Sequence, residues 1–287
     1  MREFRGKKAL ITGAASGIGR AITLELAKRG TDVWLLDIDD ANLAAVAEEA
    51  RRCGVEAVCR RCDLTSAAEI AAAVEAVGAR WGCLNILINN AGIADRCPLH
   101  EMSDGHWHRI MAINLLAPIA LTRALMPLLL INEAHILNLC SIFGLVTTRK
   151  AAAYQTSKFG LVGFTQALRA EYGSPQFGVT ALCPGFVDTP LMVRIATAQP
   201  DRVPPSWTYT TPELVAAAAI TAIRRNKGIV VITALARFNW IVARAFPRLP
   251  DFLYRRPWRY WRARRRDKPG QSPTAEALAR ERYTQSN

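Results

Sequence analysis

Short apolar runs alternate with longer amphipathic stretches along most of the chain. The apolar runs predict strands at 8–11, 32–37, 56–61, 84–89, 134–140, 178–183 and 229–233. The amphipathic stretches predict one helix that ends before Gly30 and others at 40–52, 66–80, about 104–130, 151–172 and 212–225. Strands that alternate with helices form a parallel sheet covered on both faces. We therefore predict an α/β fold with a doubly wound parallel sheet of about seven strands.

A glycine-rich turn joins the first strand to the first helix, in the segment Thr12-Gly-Ala-Ala-Ser-Gly-Ile-Gly19. Gly13 permits a tight turn, Gly17 lets the backbone approach a pyrophosphate, and Gly19 allows the helix to pack closely on the strand. The N-terminus of that helix attracts the anion. The residues expected to bind a dinucleotide at this turn are Gly13, Ser16, Gly17, Ile18 and Gly19.

An acidic residue ends the second strand. Asp37 follows Gly19 by 18 residues, and a carboxylate there accepts hydrogen bonds from a ribose 2′-OH and repels a 2′-phosphate. Neither Ser16 nor Ile38 supplies a cation that would hold the phosphate. We therefore predict NAD rather than NADP as the cofactor. The alternative is that Asp37 caps the helix that starts near Asp40.

Further polar and small residues follow the later strands. Asp63 is placed to meet an adenine edge, and the segment from Asn89 to Gly92 combines small residues with amides that can tie neighbouring strands together. After the sixth strand, the backbone from Gly185 to Val187 and the Thr189 hydroxyl are expected to face a nicotinamide carboxamide. The full set of cofactor-binding residues predicted outside the glycine turn is Asp37, Asp63, Leu64, Asn90, Ala91, Gly92, Tyr154, Lys158, Pro184, Gly185, Val187 and Thr189.

Candidate acid/base chemistry lies on the helix predicted at 151–172. Tyr154 and Lys158 are four residues apart, so their side chains share one helical face. An ammonium beside a phenol favours the phenolate, so we expect the pKa of Tyr154 to fall from about 10 toward neutrality. A phenol with such a pKa is a general acid/base. Ser141, after the fifth strand, can hydrogen-bond a substrate oxygen held over the tyrosine. Asn114 lies inside the long helix, where it either satisfies a local bend or holds a water.

Taken together, these residues closely resemble the short-chain dehydrogenase/reductase (SDR) family over about residues 5–233. The matching pieces, in the family's order, are Thr12-Gly-x-x-x-Gly-x-Gly19, Asp63, Asn89 to Gly92, Asn114, Ser141, Tyr154-x-x-x-Lys158 and Pro184-Gly185. The resemblance implies a Rossmann fold and hydride transfer between a substrate carbon and the nicotinamide. Cys140 stands where the family often has a serine, and residues 234–287 have no counterpart in the family's common core.

The resemblance also implies a role for each residue of the candidate catalytic set. It implies that Tyr154 is the acid/base on the substrate oxygen and that Ser141 orients and polarises this oxygen. Lys158 is expected to lower the pKa of Tyr154 and to bind the nicotinamide ribose, and Asn114 to hold a water in the proton relay. Family analogy further implies a homo-oligomer that pairs through the helices at about 104–130 and 151–172. No metal is expected.

The chain divides into three predicted parts. Residues 1–233 form the Rossmann-fold catalytic domain, in which the long connection at about 186–211 is predicted to be a substrate lid. This connection is rich in apolar residues, so the substrate is predicted to be an apolar secondary alcohol or its ketone. Residues 234–268 form a basic, aromatic, amphipathic extension, and residues 269–287 form a flexible C-terminus.

The positive charge of the chain is concentrated in the extension. The net charge is +13, and the stretch 235–268 holds eleven Lys/Arg against two Asp, which leaves +9 there and +4 elsewhere. On a helical wheel, residues 235–248 separate an apolar side with Phe238 and Ile241 from a side with Arg237, Arg244 and Arg248. This pattern suits an anionic membrane surface. The alternatives are packing on the protein's own substrate loop or on a partner subunit.

Composition restricts the remaining classes of function. The chain is 51% hydrophobic and 21% charged, as globular proteins are. Seven cysteines without a regular framework suggest a reducing compartment, so we expect a cytoplasmic protein, peripheral on a membrane at most. No apolar run approaches the roughly 20 residues of a spanning helix.

Besides the predicted alcohol dehydrogenase or ketoreductase, the sequence leaves three other functions open. The first is a 3-oxoacyl-thioester reductase, against which Asp37 argues. The second is a non-catalytic nicotinamide-binding sensor or scaffold, which an intact set of Ser141, Tyr154, Lys158 and Asn114 disfavours. The third is nucleic-acid binding through the basic extension, which we regard as the least supported.

Overall fold

The computed structural model describes residues 1, 3–193 and 205–248. Its strands are β1 (Lys8–Thr12), β2 (Asp32–Asp37), β3 (Ala57–Arg61), β4 (Ile86–Asn89), β5 (Ala134–Leu139), β6 (Phe177–Cys183), β7 (Phe186–Val187), β8 (Tyr209–Thr210) and β9 (Ile229–Val231). Its helices are α1 (Gly17–Ala27), α2 (Asp40–Arg51), α3 (Ala67–Trp81), α4 (Asp104–Met111), α5 (Ala117–Leu129), α6 (Ala152–Tyr172), α7 (Pro212–Arg224) and α8 (Ala234–Ala245). Seven strands form one parallel sheet in the order β3-β2-β1-β4-β5-β6-β9. The predicted α/β fold is therefore confirmed.

Successive apolar residues in each central strand pack against opposite layers of helices. In β1, Ile11 joins a cluster with residues of α1, α2 and α7, whereas its neighbour Leu10 joins a cluster with residues of α3 and α5. Because adjacent side chains in a strand point to opposite faces, a continuous apolar run fits a sheet that is buried on both sides. This explains why the strands read as apolar runs in the sequence.

The strand order reverses between β1 and β4. The chain runs outward from β1 to β3, then returns to place β4 on the other side of β1. In open sheets of this type, the crevice at the carboxyl ends of the strands beside such a reversal receives the ligand. The residues that follow β1, β4, β5 and β6 therefore meet at one edge of the sheet.

The long helix predicted at about 104–130 is divided by a π-helical segment. The α-helices α4 and α5 flank residues Ala112–Leu116, which have π-helical geometry. The whole helix, Asp104–Leu129, is long and apolar enough by composition to span a membrane, contrary to the expectation that no such stretch exists. Leu121 and Leu125 are fully buried against the sheet, which accounts for its apolar character within a folded domain.

The chain groups into two units, of which the first is Met1–Arg244 and the second Ala245–Asn287. Two short strands, β7 and β8, pair within the connection predicted as a lid. Residues 194–204 of that connection lie outside the described residues. Most of the predicted basic extension, from residue 249 onward, and the predicted flexible C-terminus also lie outside them.

Candidate active site

Four polar side chains from three elements meet at the carboxyl edge of the sheet. Ser141 follows β5, Tyr154 and Lys158 lie in the first two turns of α6, and Asn114 lies in the π-helical segment. Ser141, Lys158 and Asn114 are buried, whereas Tyr154 keeps part of its surface exposed. Residues from distant parts of the sequence are thus held on rigid elements around one phenol.

The side chain of Ser141 lies close enough to the Tyr154 phenol to lower the pKa of the phenol. The Ser141 hydroxyl oxygen accepts a hydrogen bond from the backbone N–H of Phe143, at 3.1 Å. This bond fixes the position of the hydroxyl beside the phenol. A carbonyl or alcohol oxygen that bonds to both hydroxyls would be oriented for proton exchange with the tyrosine.

The expected lowering of the Tyr154 pKa is not found in this structure. Although part of the Tyr154 surface is exposed, the surrounding protein keeps water from the phenol and raises its pKa above the ordinary value, and Ser141 lowers it only in part. Lys158 Nζ lies 5.9 Å from the centroid of the tyrosine ring. Its ammonium instead donates a hydrogen bond to the backbone oxygen of Leu139, at 2.8 Å. Desolvation therefore outweighs the lowering of the phenol pKa by Ser141.

Lys158 itself is held in a buried position. Burial lowers the pKa of its ammonium from the ordinary value, because a charge is costly to remove from water. Nζ lies close to the start of the loop after β4: a Cβ added at Gly92 would be only 3.5 Å from it. The same added Cβ would lie 3.3 Å from Asn114 Oδ1. A glycine at position 92 therefore leaves open the space in front of these two side chains.

Asn114 bridges the π-helical segment, the loop after β4 and α6. Its Oδ1 accepts the backbone N–H of Ile93 at 2.8 Å, and its Nδ2 donates to the backbone oxygen of Ile93 at 2.8 Å. Nδ2 also lies 3.1 Å from Ser157 Oγ. Asn114 therefore satisfies the local distortion of the helix, and π-helical turns inside α-helices are common at functional sites.

The glycine turn between β1 and α1 has no space for side chains. A Cβ at Gly19 would lie 2.0 Å from the Gly13 carbonyl oxygen, and one at Gly13 would lie 2.8 Å from Ala91 Cα. Gly13 and Gly17 both have positive φ, which favours glycine. Ser16 precedes α1, and its side chain makes no capping hydrogen bond to the helix. The uncapped amides and close backbone fit the pyrophosphate of a dinucleotide.

Asp37 is tied to this turn. Its Oδ2 accepts the backbone N–H of Ala15 at 2.9 Å, and its Oδ1 accepts the backbone N–H of Ile38 at 2.7 Å. The helix α2 is capped instead by Asp39, whose side chain accepts the N–H of Asn42. The alternative in which Asp37 caps the helix is therefore wrong, and its carboxylate joins the end of β2 to the glycine turn.

The loop after β4 is joined to the glycine turn through Asn90 and Thr12. Asn90 Nδ2 donates to the backbone oxygens of Thr12 and Gly13, each at 2.9 Å. Thr12 Oγ1 accepts the backbone N–H groups of Asn90 and Ala91, each at 3.0 Å. One residue earlier, at the end of β4, Asn89 Nδ2 donates to Asn138 Oδ1 at 2.8 Å, which ties β4 to β5. The asparagines therefore join neighbouring strands as the sequence predicts.

The segment after β6 approaches the glycine turn from the other side. A Cβ at Gly17 would lie 3.3 Å from Thr189 Cγ2. The Pro184 carbonyl oxygen accepts the backbone N–H of Ile142 at 2.9 Å, which links this segment to the loop that carries Ser141. Val187 is buried, and it pairs with β8. Gly185 packs against Thr233 and Ala236 at the start of α8.

Asp63 and Leu64 lie at the outer side of the candidate cofactor site. One carboxylate oxygen of Asp63 accepts the backbone N–H and the hydroxyl of Thr65, at 2.9 and 2.8 Å, and these bonds lower the pKa of Asp63. Leu64 packs partly buried against the cluster below α3. The second carboxylate oxygen of Asp63 would therefore be the one to meet an adenine edge.

Two features of the site were not predicted from the sequence. Gln155 clamps the loop before α6, since its side chain bonds to both the N–H and the oxygen of Thr148 at 2.9 and 2.7 Å. An aromatic row lies beside Ser141, in which Phe186 contacts Phe143 and Tyr209 with ring centroids 5.8 and 5.9 Å apart. Phe143 follows β5, whereas Phe186 and Tyr209 lie in β7 and β8, so the contact depends on the pairing of these two short strands.

Known proteins are similar to this chain over most of its length. A family model described as short chain dehydrogenase matches residues 7–200. A putative ketoacyl reductase of Streptomyces coelicolor is 36% identical over 208 residues, which cover 71% of this chain and 78% of that protein. D-beta-hydroxybutyrate dehydrogenase of Cupriavidus necator is 33% identical over 235 residues, or 76% of this chain and 90% of that protein.

Two solved structures share the fold over most of their length. A short chain dehydrogenase/reductase from Burkholderia phymatum in complex with NAD superposes with a TM-score of 0.78 and 26% identity, covering 87% of this chain and 96% of that one. An actinorhodin polyketide ketoreductase variant with NADPH has a TM-score of 0.73 and 31% identity, covering 81% and 97%. The chain therefore belongs to the short chain dehydrogenase family.

Proposed function

We propose that the protein is an NAD-dependent oxidoreductase that interconverts an apolar secondary alcohol and its ketone. The observation that carries this proposal is the Ser141 hydroxyl beside the Tyr154 phenol, with Lys158 and Asn114 buried nearby. A bound NAD would supply a hydride acceptor at the nicotinamide and, when reduced, a hydride donor. The protein's own residues would orient the substrate and exchange its proton.

Each residue of the set has a distinct proposed role. Ser141 orients the substrate oxygen, because its own hydroxyl is fixed by the N–H of Phe143. Tyr154 gives a proton to the ketone oxygen or takes one from the alcohol. Lys158, next to Gly92, would hold the ribose of the nicotinamide half. Asn114 would keep the loop at Ile93 and α6 in register, and a water at its amide would carry the proton onward.

The preference for NAD rests on Asp37. Its carboxylate lies at the glycine turn, where a negative charge repels a 2′-phosphate and accepts hydrogen bonds from a ribose hydroxyl. The side chain that follows is Ile38, which is exposed and carries no charge. Of the two structural relatives above, one binds NAD and the other NADPH, so the choice for this protein rests on its own residues.

The apolar substrate is supported by the surroundings of Ser141. The aromatic row of Phe143, Phe186 and Tyr209 offers faces and edges of rings beside the proposed reacting oxygen. Rings of a steroid, an aryl alcohol or a similar lipid would bury apolar surface there. The second candidate function is reduction of a 3-oxoacyl thioester, which the similarity to a ketoacyl reductase favours and the charge of Asp37 disfavours.

We also propose a homo-oligomeric, cytoplasmic enzyme with peripheral contact to the inner face of a membrane. Exposed apolar side chains on the outer helices, Leu116 and Phe159, support pairing through the helices 104–129 and α6. The surface proposed to contact the membrane is α8. Light scattering after size-exclusion chromatography measures the oligomeric state, and a monomer at working concentration would contradict pairing.

A turnover screen tests the proposed reaction. Purified protein is mixed with NAD or NADP and with steroids, long-chain secondary alcohols, retinoids and aryl alcohols, and formation of the reduced cofactor is followed by absorbance. We expect turnover with NAD and at least one apolar alcohol, and none in Tyr154→Phe. Activity confined to NADPH and a 3-oxoacyl thioester would favour the second candidate. Cofactor binding without turnover on any substrate would favour a sensor.

A further inference from the structure

The helix α8 attaches to the domain through one side only. Ala236 is buried, and Trp240 packs against the cluster that contains Cys183 and Val231. The start of the helix is fixed by Thr233, whose hydroxyl accepts the backbone N–H of Ala236 at 3.2 Å. These contacts define which side of α8 faces the sheet, and therefore which side faces away from it.

The outward side of α8 is apolar. Leu235, Phe238 and Ile241 keep 39%, 64% and 56% of their surface exposed. At about 100° per residue, Phe238 points opposite to the direction midway between Ala236 and Trp240. A helix that had only to cover the domain would bury these three side chains and expose polar ones. In α8 the outward side is apolar as well as the side packed on the domain, which calls for another apolar environment.

Cations border one edge of this outward apolar face. Arg237 and Arg244 are exposed on the same side of the helix, and Arg237 Nη2 lies 3.4 Å from the backbone oxygen of Val231, which ties its guanidinium to the end of β9. No acidic residue occurs from 234 to 248, and the sequence from 249 to 268 adds eight Lys/Arg against two Asp. The face is thus bordered by positive charge and lacks negative charge among the described residues of α8.

The helix α8 adjoins the segment that carries the aromatic row. Gly185 contacts Ala236 on the inward side of α8, since an added Cβ would lie 3.5 Å from the alanine Cβ. The next residue, Phe186, belongs to the aromatic row with Tyr209. Two residues before Tyr209, Trp207 keeps 74% of its surface exposed. The proposed substrate entrance, beside this aromatic row, therefore adjoins α8.

We propose that the outward face of α8 docks on an anionic lipid bilayer, with its apolar side chains at the acyl boundary and its arginines among the headgroups. An amphipathic helix with aromatic and aliphatic residues on one side and cations beside them binds in the plane of the interface. Anionic headgroups attract each nearby cation. For the substrate class, this inference rests on the proposed function, because docking would bring the entrance to apolar substrates dissolved in lipid.

Charge decides between a bilayer and the other possible occupants. A second copy of this face in an antiparallel two-fold pair would bring arginines against arginines, because Arg237 and Arg244 lie on the same edge of the face. The following segment 249–268 is also strongly cationic, so charge disfavours it as a partner for a face bordered by Arg237 and Arg244. Three apolar side chains are also fewer than a stable protein interface of about 800 Å² per partner requires. An anionic lipid surface complements both the apolar and the charged part.

Vesicle cosedimentation of the full chain tests the inference without any need for turnover. The probes are phosphatidylcholine vesicles with and without phosphatidylserine, at low and high salt. The test variant is Phe238→Ser with Ile241→Ser, and the matched control is Leu130→Ser with Ile131→Ser, which removes two exposed apolar side chains at the end of α5 (56% and 59% exposed). We expect binding to anionic vesicles that falls with salt, at least about tenfold weaker binding in the test variant, and no change in the control.

Three results would overturn the proposal. The first is no binding of the unmodified protein to anionic vesicles at low salt. The second is equal binding by the unmodified protein and the α8 variant, which would place the contact elsewhere in the chain. The third is a loss of oligomer mass in the α8 variant together with unchanged vesicle binding, which would assign the face to a second copy. Thermal melting and turnover on a water-soluble secondary alcohol, without vesicles, verify folding and test the proposed function separately.

Discussion

Asp37 Oδ2 accepts the backbone N–H of Ala15 at 2.9 Å, so one carboxylate joins the end of β2 to the glycine turn before α1. The same side chain holds the turn in shape and sets the charge that a cofactor ribose would meet. Structure and specificity are therefore coupled at this residue. A substitution that changes only the charge is needed to separate the two effects.

Asp37→Asn removes the charge, and its amide oxygen can still accept the N–H of Ala15, but its amide nitrogen then replaces the oxygen that accepts the N–H of Ile38. We expect the preference of kcat/KM for NAD over NADP to fall at least about tenfold, since the repulsion of the 2′-phosphate is removed. Adding Ile38→Arg should reverse the preference. Steady-state kinetics with both cofactors measures this, and circular dichroism shows whether the turn is intact. Equal kcat/KM for the two cofactors in the unmodified enzyme would contradict the assignment.

Tyr154→Phe removes one hydroxyl and keeps the ring. We expect turnover to fall by about 10²-fold or more, the usual range for lost general acid/base catalysis, while NAD still binds. Titration of cofactor binding by calorimetry, beside the turnover assay, separates the two effects. Lys158→Ala, in contrast, should weaken both turnover and cofactor binding. Near-normal turnover in Tyr154→Phe would show that the proton leaves by another route.

Asn114→Ala tests the bridge across the π-helical segment. The variant leaves the N–H and carbonyl oxygen of Ile93 without their partner, and a buried unpaired group costs about 1–3 kcal/mol. We expect a lower free energy of unfolding and a loss of kcat. Ser157→Ala is the comparison variant, since it keeps the bridge to Ile93 and removes the 3.1 Å contact with Nδ2 together with the 2.7 Å bond that Ser157 Oγ donates to the backbone oxygen of Tyr154. If both variants lose kcat equally, the bond to Ser157, and not the bridge to Ile93, supports the site.

Much of the fold could be predicted because the chain's local patterns agree with its tertiary structure. The apolar runs, the glycine turn and the helical periodicity predict the ends of the seven sheet strands, and of the helices through α7, within two residues of the structure. The acidic residue after β2 and the asparagines after β4 could also be placed, because strand ends in a parallel sheet meet at one edge. For these residues, the hydrophobic pattern and the sheet topology were sufficient to predict the position.

The features of the site that the sequence could not predict depend on distances between elements of the structure. Spacing on α6 brings Tyr154 and Lys158 to one face, but it says nothing of the burial that raises the pKa of the phenol. The backbone oxygen of Leu139, which accepts the lysine ammonium, comes from another strand. The π-helical segment at Asn114 likewise depends on a bond to the loop at Ile93. Desolvation and long-range bonds are properties of the assembled structure.

The raised pKa of Tyr154 leads to a pH profile. With its pKa above the ordinary value of about 10, the phenol is protonated at neutral pH. Ketone reduction needs the protonated form, so its kcat/KM should be flat through neutral pH and fall in alkali. Alcohol oxidation needs the ionised form, so its kcat/KM should rise about tenfold per pH unit up to that pKa. Profiles in both directions measure this, and an oxidation plateau already at neutral pH would show that the bound cofactor lowers the pKa of the tyrosine.

His135 provides a pH dependence of stability that is independent of catalysis. It is buried in β5, and its Nε2 lies 2.8 Å from Thr180 Oγ1, whose hydroxyl donates to the backbone oxygen of Lys227. Nε2 must therefore carry the proton that bonds to Thr180. Burial, with smaller contributions from the N-terminal ammonium and Arg169, lowers the pKa of His135 from 6.5 to about 3.

The direction of this pH dependence follows from the unfolded chain, in which the pKa of the imidazole returns to its ordinary value. Above about pH 6.5 the ring is neutral in both states and adds no pH dependence, whereas below it the unfolded state binds a proton that the folded state excludes. The free energy of unfolding should therefore fall as pH decreases from about 6.5 toward 3, by about 2 kcal/mol at about pH 5. His135→Gln should be less stable at neutral pH but lose this part of the slope, and His108→Gln, on the exposed side of α4, should keep it. Urea unfolding at a series of pH values measures the slopes, and equal slopes in His135→Gln and the unmodified protein would assign the acid sensitivity to other groups.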